Sequence, residues 1–582
     1  MAWPKGRLCV SGQGRHAVTP SDEPAPRVAR ARGWKWLVFA LIIAVYAAAQ
    51  WAGRRDIPLT DDAEFYLGSA QAYKAWSLAA WNSLRHGNRE AFRREVIDGH
   101  FGQNWMHPPF AKAVLGAGIA IFHDGVHWLD EIDAARVGIM LLSTLLAALI
   151  FLLCWPTYGP LVAVSAPLFL LVMPRFFFDS HVESLDVASA ATYFLAVFCF
   201  WRARASWLWA VAAGTASGIA MATKINGAFV ALPVGTCWLL GGYPQPSLAI
   251  DRPLDWLRRP PLSLVLMVTL GPLVAIGLWP WLWADPITRL VRYLRFYLHH
   301  HPTLFHYFGT TYYVPFAPWH APFVMTAITT PVPILALALM GTGVAGLRSC
   351  LPRASTRGPA RSEANSLDRL VLLNAAFAVG AAALPNVPKY GGVKLFLPFF
   401  PFLAILAGVG FEALTCSIAR VAGIGRRATL LAGGVGLATV VGTMGCTMMQ
   451  LHPYHLSYYN GLVGGLSGAE RHGFEIQYYD LWYLELARWL NRTYPDGVRV
   501  FFQPNNKEYL RHVGWYYRTG RLNQDVQIVP DESQAEIVVL THEKRWPQYF
   551  ALRGRLRNLP VLHELIVEGV PLLTVYDVQR QP

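Results

Sequence analysis

The chain has 582 residues, 54% of them hydrophobic and only 15% charged, with a formal net charge of +14. So few charges cannot clothe a soluble surface of this size, which leaves lipid as the solvent for much of the chain. The basic residues fall mainly in short loops between apolar runs, a positive-inside pattern that argues against nucleic acid as their partner.

In chain order, residues 1–35 are basic and rich in Pro and Gly and read as a disordered cytoplasmic tail. A spanning helix needs roughly 17 to 25 residues with few charges. Runs of that kind begin near Trp36, Arg136, Pro160, Asp186, Trp207, Asn226, Leu262, Phe323, Leu370, Val393 and Ala428. The expected fold is therefore a polytopic α-helical membrane protein with about eleven spanning helices over residues 36–450. Residues 110–122 are apolar but shorter and follow His107-Pro108-Pro109; they read as an interfacial helix rather than a span. With that helix left out of the count, Arg202 and Arg204, Arg258 and Arg259, and the arginines of 348–361 and 420–427 all fall on the side of the basic tail. The opposite side then collects the loops 54–131 and 285–322, the turn 175–183, the turns near Lys224 and 385–392, and residues 451–582. In that last segment, β-rich runs at 498–502, 526–529, 536–540 and 572–575 alternate with helical stretches near 481–491 and 505–517. That alternation predicts a small extramembrane α/β domain.

The polar chemistry lies on this one side. Thr60-Asp61-Asp62-Ala63-Glu64 sets three carboxylates at a helix exit, which is costly at a membrane boundary unless they are solvated or used. An N-cap with a solvated acidic turn is the plain alternative. Asp179-Ser180-His181-Val182-Glu183-Ser184-Leu185-Asp186 is a second polar stretch, in which Asp186 could simply cap the next span. Lys224, Lys389 and Lys394 stand at helix ends, where snorkelling to headgroups is the ordinary role of a lone lysine. His299, His300, His301, His306 and His320 crowd the loop 285–322 without a ligand spacing on a known element. The seven cysteines have no metal-ligand spacing either. Carboxylates beside cations at a lipid-accessible groove suit sugar transfer from a lipid-linked phosphate. The leaving phosphate needs cations, and the acceptor hydroxyl needs a carboxylate base.

At these residues the chain resembles the C-type membrane glycosyltransferases, in particular glycosyltransferase family 39, which includes protein O-mannosyltransferases and lipid A aminoarabinose transferases. Asp61-Asp62 stands where the family has an Asp-Glu motif after the first helix. His107-Pro108-Pro109-Phe110 matches a Lys- or His-Pro-Pro-Leu motif, Asp186 a second Asp after the third helix, and Thr223-Lys224 a Thr-Lys pair ending the fifth. Residues 392–401, and His452-Pro453-Tyr454 with Ser457-Tyr458-Tyr459-Asn460, are similar to late motifs of bacterial members. The resemblance implies a polyprenyl-phosphate sugar donor and inversion at the anomeric carbon. It also implies an active site on the periplasmic face of a bacterial inner membrane, with the C-terminal domain periplasmic. It makes Asp61, with Asp62, the candidate base and Asp186 a positioning or metal-binding carboxylate. Lys224, Lys389 and Lys394 become candidates for the donor phosphate, and Glu64, His107 and His181 further substrate-binding candidates. The acceptor can be a lipid, a glycan or a protein, and a divalent metal ion is an open cofactor. The competing reading is a transporter or flippase of lipid-linked glycans. That would bury charge near the bilayer midplane and often shows inverted repeats, whereas the charges here stand at helix ends.

Overall fold

A computed structural model describes residues 26–241, 260–299, 303–350 and 359–579. The tail up to residue 25, Arg258, Arg259, His300, His301 and residues 351–358 of the expected basic loop lie outside the described residues. Every expected apolar run carries a helix, because backbone that faces lipid must satisfy its own hydrogen bonds. Among the described residues six helical segments are long and apolar enough to cross a membrane: Gly33–Gly53, Glu131–Thr157, Val332–Cys350, Glu363–Ala383, Lys394–Val421 and Arg426–Leu451. Pro160–Leu171, Trp207–Met221, Ile225–Leu239 and Leu262–Gly277 are shorter apolar helices, and Asp186–Arg202 is buried along nearly its whole length.

Glycines set the closest helix crossings. A Cβ on Gly341 would lie 1.8 Å from the Leu406 carbonyl oxygen, and one on Gly410 would lie 2.0 Å from that of Leu337. Val332–Cys350 thus packs backbone to backbone on the helix Phe400–Val421. Gly218 approaches the Gly271 carbonyl in the same way and joins Trp207–Met221 to Leu262–Gly277. Small residues at such crossings maximise dispersion contact where lipid removes the hydrophobic drive.

Helix Ala63–Arg85 follows Asp62, and the short helix Arg94–Phe101 lies beyond it. The expected interfacial helix begins at Phe110 and runs as α-helix to Gly118, then as a π-helical turn over Ile119–Gly125. Beneath this loop, Arg136 donates to Glu183 at 2.5 Å and to the Ile57 and Pro58 carbonyls at 3.0 Å, with no side-chain exposure on either partner. A buried cation fully satisfied in this way fixes the chain just before Asp61 to the turn just before Asp186.

Strands β1 (Leu304–Tyr307) and β2 (Thr310–Tyr313) form a hairpin in the loop 285–322. The C-terminal domain is a five-stranded sheet built from β3 (Val498–Gln503), β4 (Val526–Ile528), β5 (Ile537–Thr541), β6 (Val561–Val567) and β7 (Val570–Asp577). Its order is β4-β3-β5-β7-β6, with β3 parallel to both neighbours and β7 antiparallel to both of its own. The four expected β runs are β3, β4, β5 and β7. The additional strand, β6, is a largely exposed edge and has no clean inside-outside alternation to betray it. Helices Leu484–Thr493 and Asn506–Arg518 stand close to where the sequence places them.

The domain docks on the loop that carries the acidic motif. Leu59 and Trp482 form an antiparallel β-bridge. The Tyr516 hydroxyl accepts from the Leu59 N–H and donates to the Trp482 carbonyl. Arg521 reaches both Asp130 and Asp133 at 2.8 Å.

Candidate active site

Asp61 is held by its backbone, its N–H donating to the Tyr479 carbonyl at 2.8 Å. Asp62 occupies the N-cap position of Ala63–Arg85, yet its side chain makes no capping bond. It faces the Lys394 ammonium instead, at 3.3 Å. The plain N-cap reading therefore does not describe this carboxylate. Lys394 reaches it because Gly391 and Gly392 turn the chain at φ of +64° and +56°. A Cβ at Gly391 would meet the Lys394 side chain at 2.6 Å, and one at Gly392 would meet the Tyr478 ring at 2.4 Å, so the turn has room for glycine only.

Asp186 opens its helix and pairs through Oδ1 with Lys224, which follows the end of Trp207–Met221. The two acid-cation pairs meet at one side chain. The Tyr479 ring lies 4.2 Å from the Lys394 ammonium, and its hydroxyl points between Asp179 Oδ1 at 3.4 Å and Asp186 Oδ2 at 3.5 Å. Arg175 stacks over Tyr459 and Tyr478 behind it. Burial, then the neighbouring Asp62 charge, push the Asp61 carboxyl up to about 8, against the opposing pull of Lys394. Asp179, fully buried and facing Asp186, is also raised well above the carboxylate range. Burial and the same two carboxylates keep the Tyr479 phenol protonated. Asp480 is the exception: despite burial, Arg545 at 2.6 Å holds it below its ordinary value.

The structure thus gathers Asp61, Asp62, Asp186, Lys224 and Lys394 around Tyr479. His107 stands to one side, its Nδ1 3.3 Å from the Tyr297 hydroxyl and its ring against Tyr66. Glu64 has the C-terminal Arg511 as its opposing charge, and burial raises its carboxyl. His181 is an internal strut whose two ring nitrogens face the Phe177 and Gln50 carbonyls, with burial pushing it down to about 4. The Lys389 ammonium donates to the Leu384 and Val387 carbonyls, tying off the turn that precedes Tyr390. Sequence reasoning leaves Asp179 and Arg175 without a part, and reads the Tyr478-Tyr479 pair as packing against the membrane domain rather than as part of the acidic cluster. Asp179 was visible in its polar stretch and Tyr479 in a tyrosine pair, but neither spacing shows that they meet. Among the described residues no three His, Cys, Asp or Glu side chains are grouped as metal ligands. Asp62 and Asp186, on which a divalent ion would draw, each already face a lysine.

Residues 106–270 match the family model described as dolichyl-phosphate-mannose-protein mannosyltransferase. No curated protein matches the chain by sequence. Among solved structures, ArnT from Cupriavidus metallidurans bound to undecaprenyl phosphate aligns over 94% of this chain and 98% of that chain, at 16% identity and a TM-score of 0.46. The archaeal oligosaccharyltransferase AglB from Archaeoglobus fulgidus, in complex with an inhibitory peptide and a dolichol-phosphate, aligns over 95% and 75%, at 10% identity and a TM-score of 0.45. At such identities and scores these are distant likenesses. The matched segment, which holds His107, Asp186 and Lys224, agrees with the motif order along the chain and relates it to the C-type membrane glycosyltransferases of the protein O-mannosyltransferase kind.

Proposed function

We propose that this protein transfers a sugar from a polyprenyl-phosphate donor to an acceptor hydroxyl, with inversion, at the outer face of the membrane. The observation that carries the proposal is the pairing of Asp62 with Lys394 and of Asp186 with Lys224 around one tyrosine, beside an Asp61 whose carboxyl is poised near 8. A general base works best when its pKa lies near the operating pH, which favours Asp61 over the ion-paired Asp62. Asp61 takes the acceptor proton as the acceptor oxygen attacks the anomeric carbon. The bond from that carbon to the phosphate oxygen breaks, and its electron pair leaves on the phosphate. The added negative charge is met by Lys394 and Lys224, which Asp62 and Asp186 hold in place. Tyr479 holds Asp186 and Asp179 in place and stacks under Lys394.

The test is release of polyprenyl phosphate from a panel of radiolabelled polyprenyl-phosphate sugars by purified protein, with and without a divalent ion. Release by the wild type that Asp61→Asn abolishes is the expected result. Turnover that persists in Asp61→Asn and Asp186→Asn alike would overturn this site.

A further inference from the structure

A polar cavity that shares no lining residue with the Asp61 cluster lies between helices Arg94–Phe101 and Pro286–Leu298. It is open, of about 740 Å³ with its solvent included, and Arg94, Arg289, Arg292, Trp105 and Trp281 are among its lining residues. The two indoles stack at 5.3 Å and form a flat wall. The charges around it do not cancel. Arg289 closes on Asp98 with two bonds of 2.6 and 2.7 Å, and Asp285 caps its own helix at the Thr288 N–H. Arg94, 62% exposed, stands 3.6 Å from the already paired Asp98. Arg292 lies over the Trp105 ring at 4.2 Å, and among the described residues no carboxylate pairs with it. Three arginines against two aspartates leave the cavity one positive charge in excess, with Arg292 the guanidinium that no carboxylate pairs among the described residues.

The same helix shows which surface it lies against. Ile287, Leu290, Val291, Leu294 and Leu298 are all exposed, Ile287 and Leu298 at 77% and 78%. At about 100° per residue they make one stripe, while Arg289 and Arg292 project roughly 140° or more away from its centre. A helix with a bare apolar stripe and a basic opposite face lies in the plane of a membrane interface, its apolar side in the acyl boundary and its charges at headgroup level. We infer that this cavity binds the phosphate group of an anionic membrane lipid, at a site separate from the Asp61 cluster. Guanidinium groups suit the phosphate oxygens by forked, charge-assisted bonds. The apolar stripe selects a phosphate attached to a lipid over one free in water.

Native mass spectrometry of the full chain, released from micelles holding phosphatidylglycerol and phosphatidylcholine in equal amounts, reads this directly. The wild type should retain phosphatidylglycerol in preference. Arg292→Glu and Arg94→Glu, both changes at exposed side chains, should each cut that preference by about fivefold or more. Arg292→Lys should keep part of it, because the charge remains while the planar fork is lost. Equal retention of the two lipids by the wild type, or unchanged preference in both glutamate variants, would overturn the inference. Millimolar inorganic phosphate should leave the bound lipid in place; its displacement would make the cavity a soluble-anion site and overturn the lipid assignment. Thermal unfolding of each variant in the same micelles, expected to match the wild type, separates lost binding from lost folding.

Discussion

In the proposed reaction Asp61 owes its role as base to its environment rather than to its identity. Its ordinary carboxyl value is 3.8 and it is pushed to about 8. Below about pH 8 the free protein therefore holds this carboxyl protonated and unable to accept a proton. The rate at low donor concentration should rise with pH through that value and then level off, a limb absent from the residual activity of Asp61→Asn. Asp61→Asn itself should cost at least about 100-fold in turnover. Lys394 pulls the Asp61 value down, so Lys394→Gln should move the limb to higher pH as well as weaken donor binding. The same shift has a stability consequence of fixed sign. Between 3.8 and about 8 the folded chain holds a proton that the unfolded chain has shed, so this group's contribution to stability falls as pH rises across that window. Tyr479→Phe keeps the ring under Lys394 and removes only the hydroxyl between Asp179 and Asp186. Losing the hydroxyl that orients Asp179 and Asp186 should slow transfer by about tenfold or more, with the protein still folded.

At the scale of the elements, the buried Arg136–Glu183 bridge joins the start of Glu131–Thr157 to the turn before Asp186. Arg136→Met would strand Glu183 in a fully buried position and should cost about 3 to 5 kcal/mol, read as a lower unfolding midpoint in detergent. Arg136→Met with Glu183→Leu should recover much of that loss, since the pair's attraction is set against the desolvation of both partners. The apolar helices were legible from composition, because lipid admits only backbone that bonds to itself and marks such segments by length and apolarity. The crossing at Gly341 and Gly410 was not legible. A glycine in an apolar run carries no sign of which carbonyl will approach it, and here the approach leaves no room for a Cβ. The π-helical turn at Ile119–Gly125 and the exposed edge strand β6 escaped for a related reason, since neither leaves a hydrophobic period in the chain.

At the scale of the whole molecule, the C-terminal segment is a wall of the site rather than an appendage. Residues from Phe474 to Tyr483 are almost entirely buried, and Tyr479 reaches the acidic motif through backbone and ring alike. The sheet domain holds that segment in place through Arg545, which binds Asp480, Glu543 and the Tyr478 carbonyl, and through the Tyr516 hydroxyl at Leu59 and Trp482. Deleting residues 496–582 should therefore abolish release of polyprenyl phosphate altogether. A mere change in which acceptors are used would show that the domain only selects the acceptor.

The sequence by itself determined the membrane class, the order of the apolar helices, the α/β character of the tail, and which acidic and basic residues are proposed to carry its chemistry. Each of these is written in local periodicity, in hydropathy or in a short motif. Only the tertiary structure decided that Asp62 meets Lys394 across 332 positions of chain, and that one tyrosine of the tail sits between Asp179 and Asp186. It also decided that His181 and Lys389 face backbone carbonyls. Contacts between distant segments depend on how helices cross and where a domain docks, and no local pattern of residues records either.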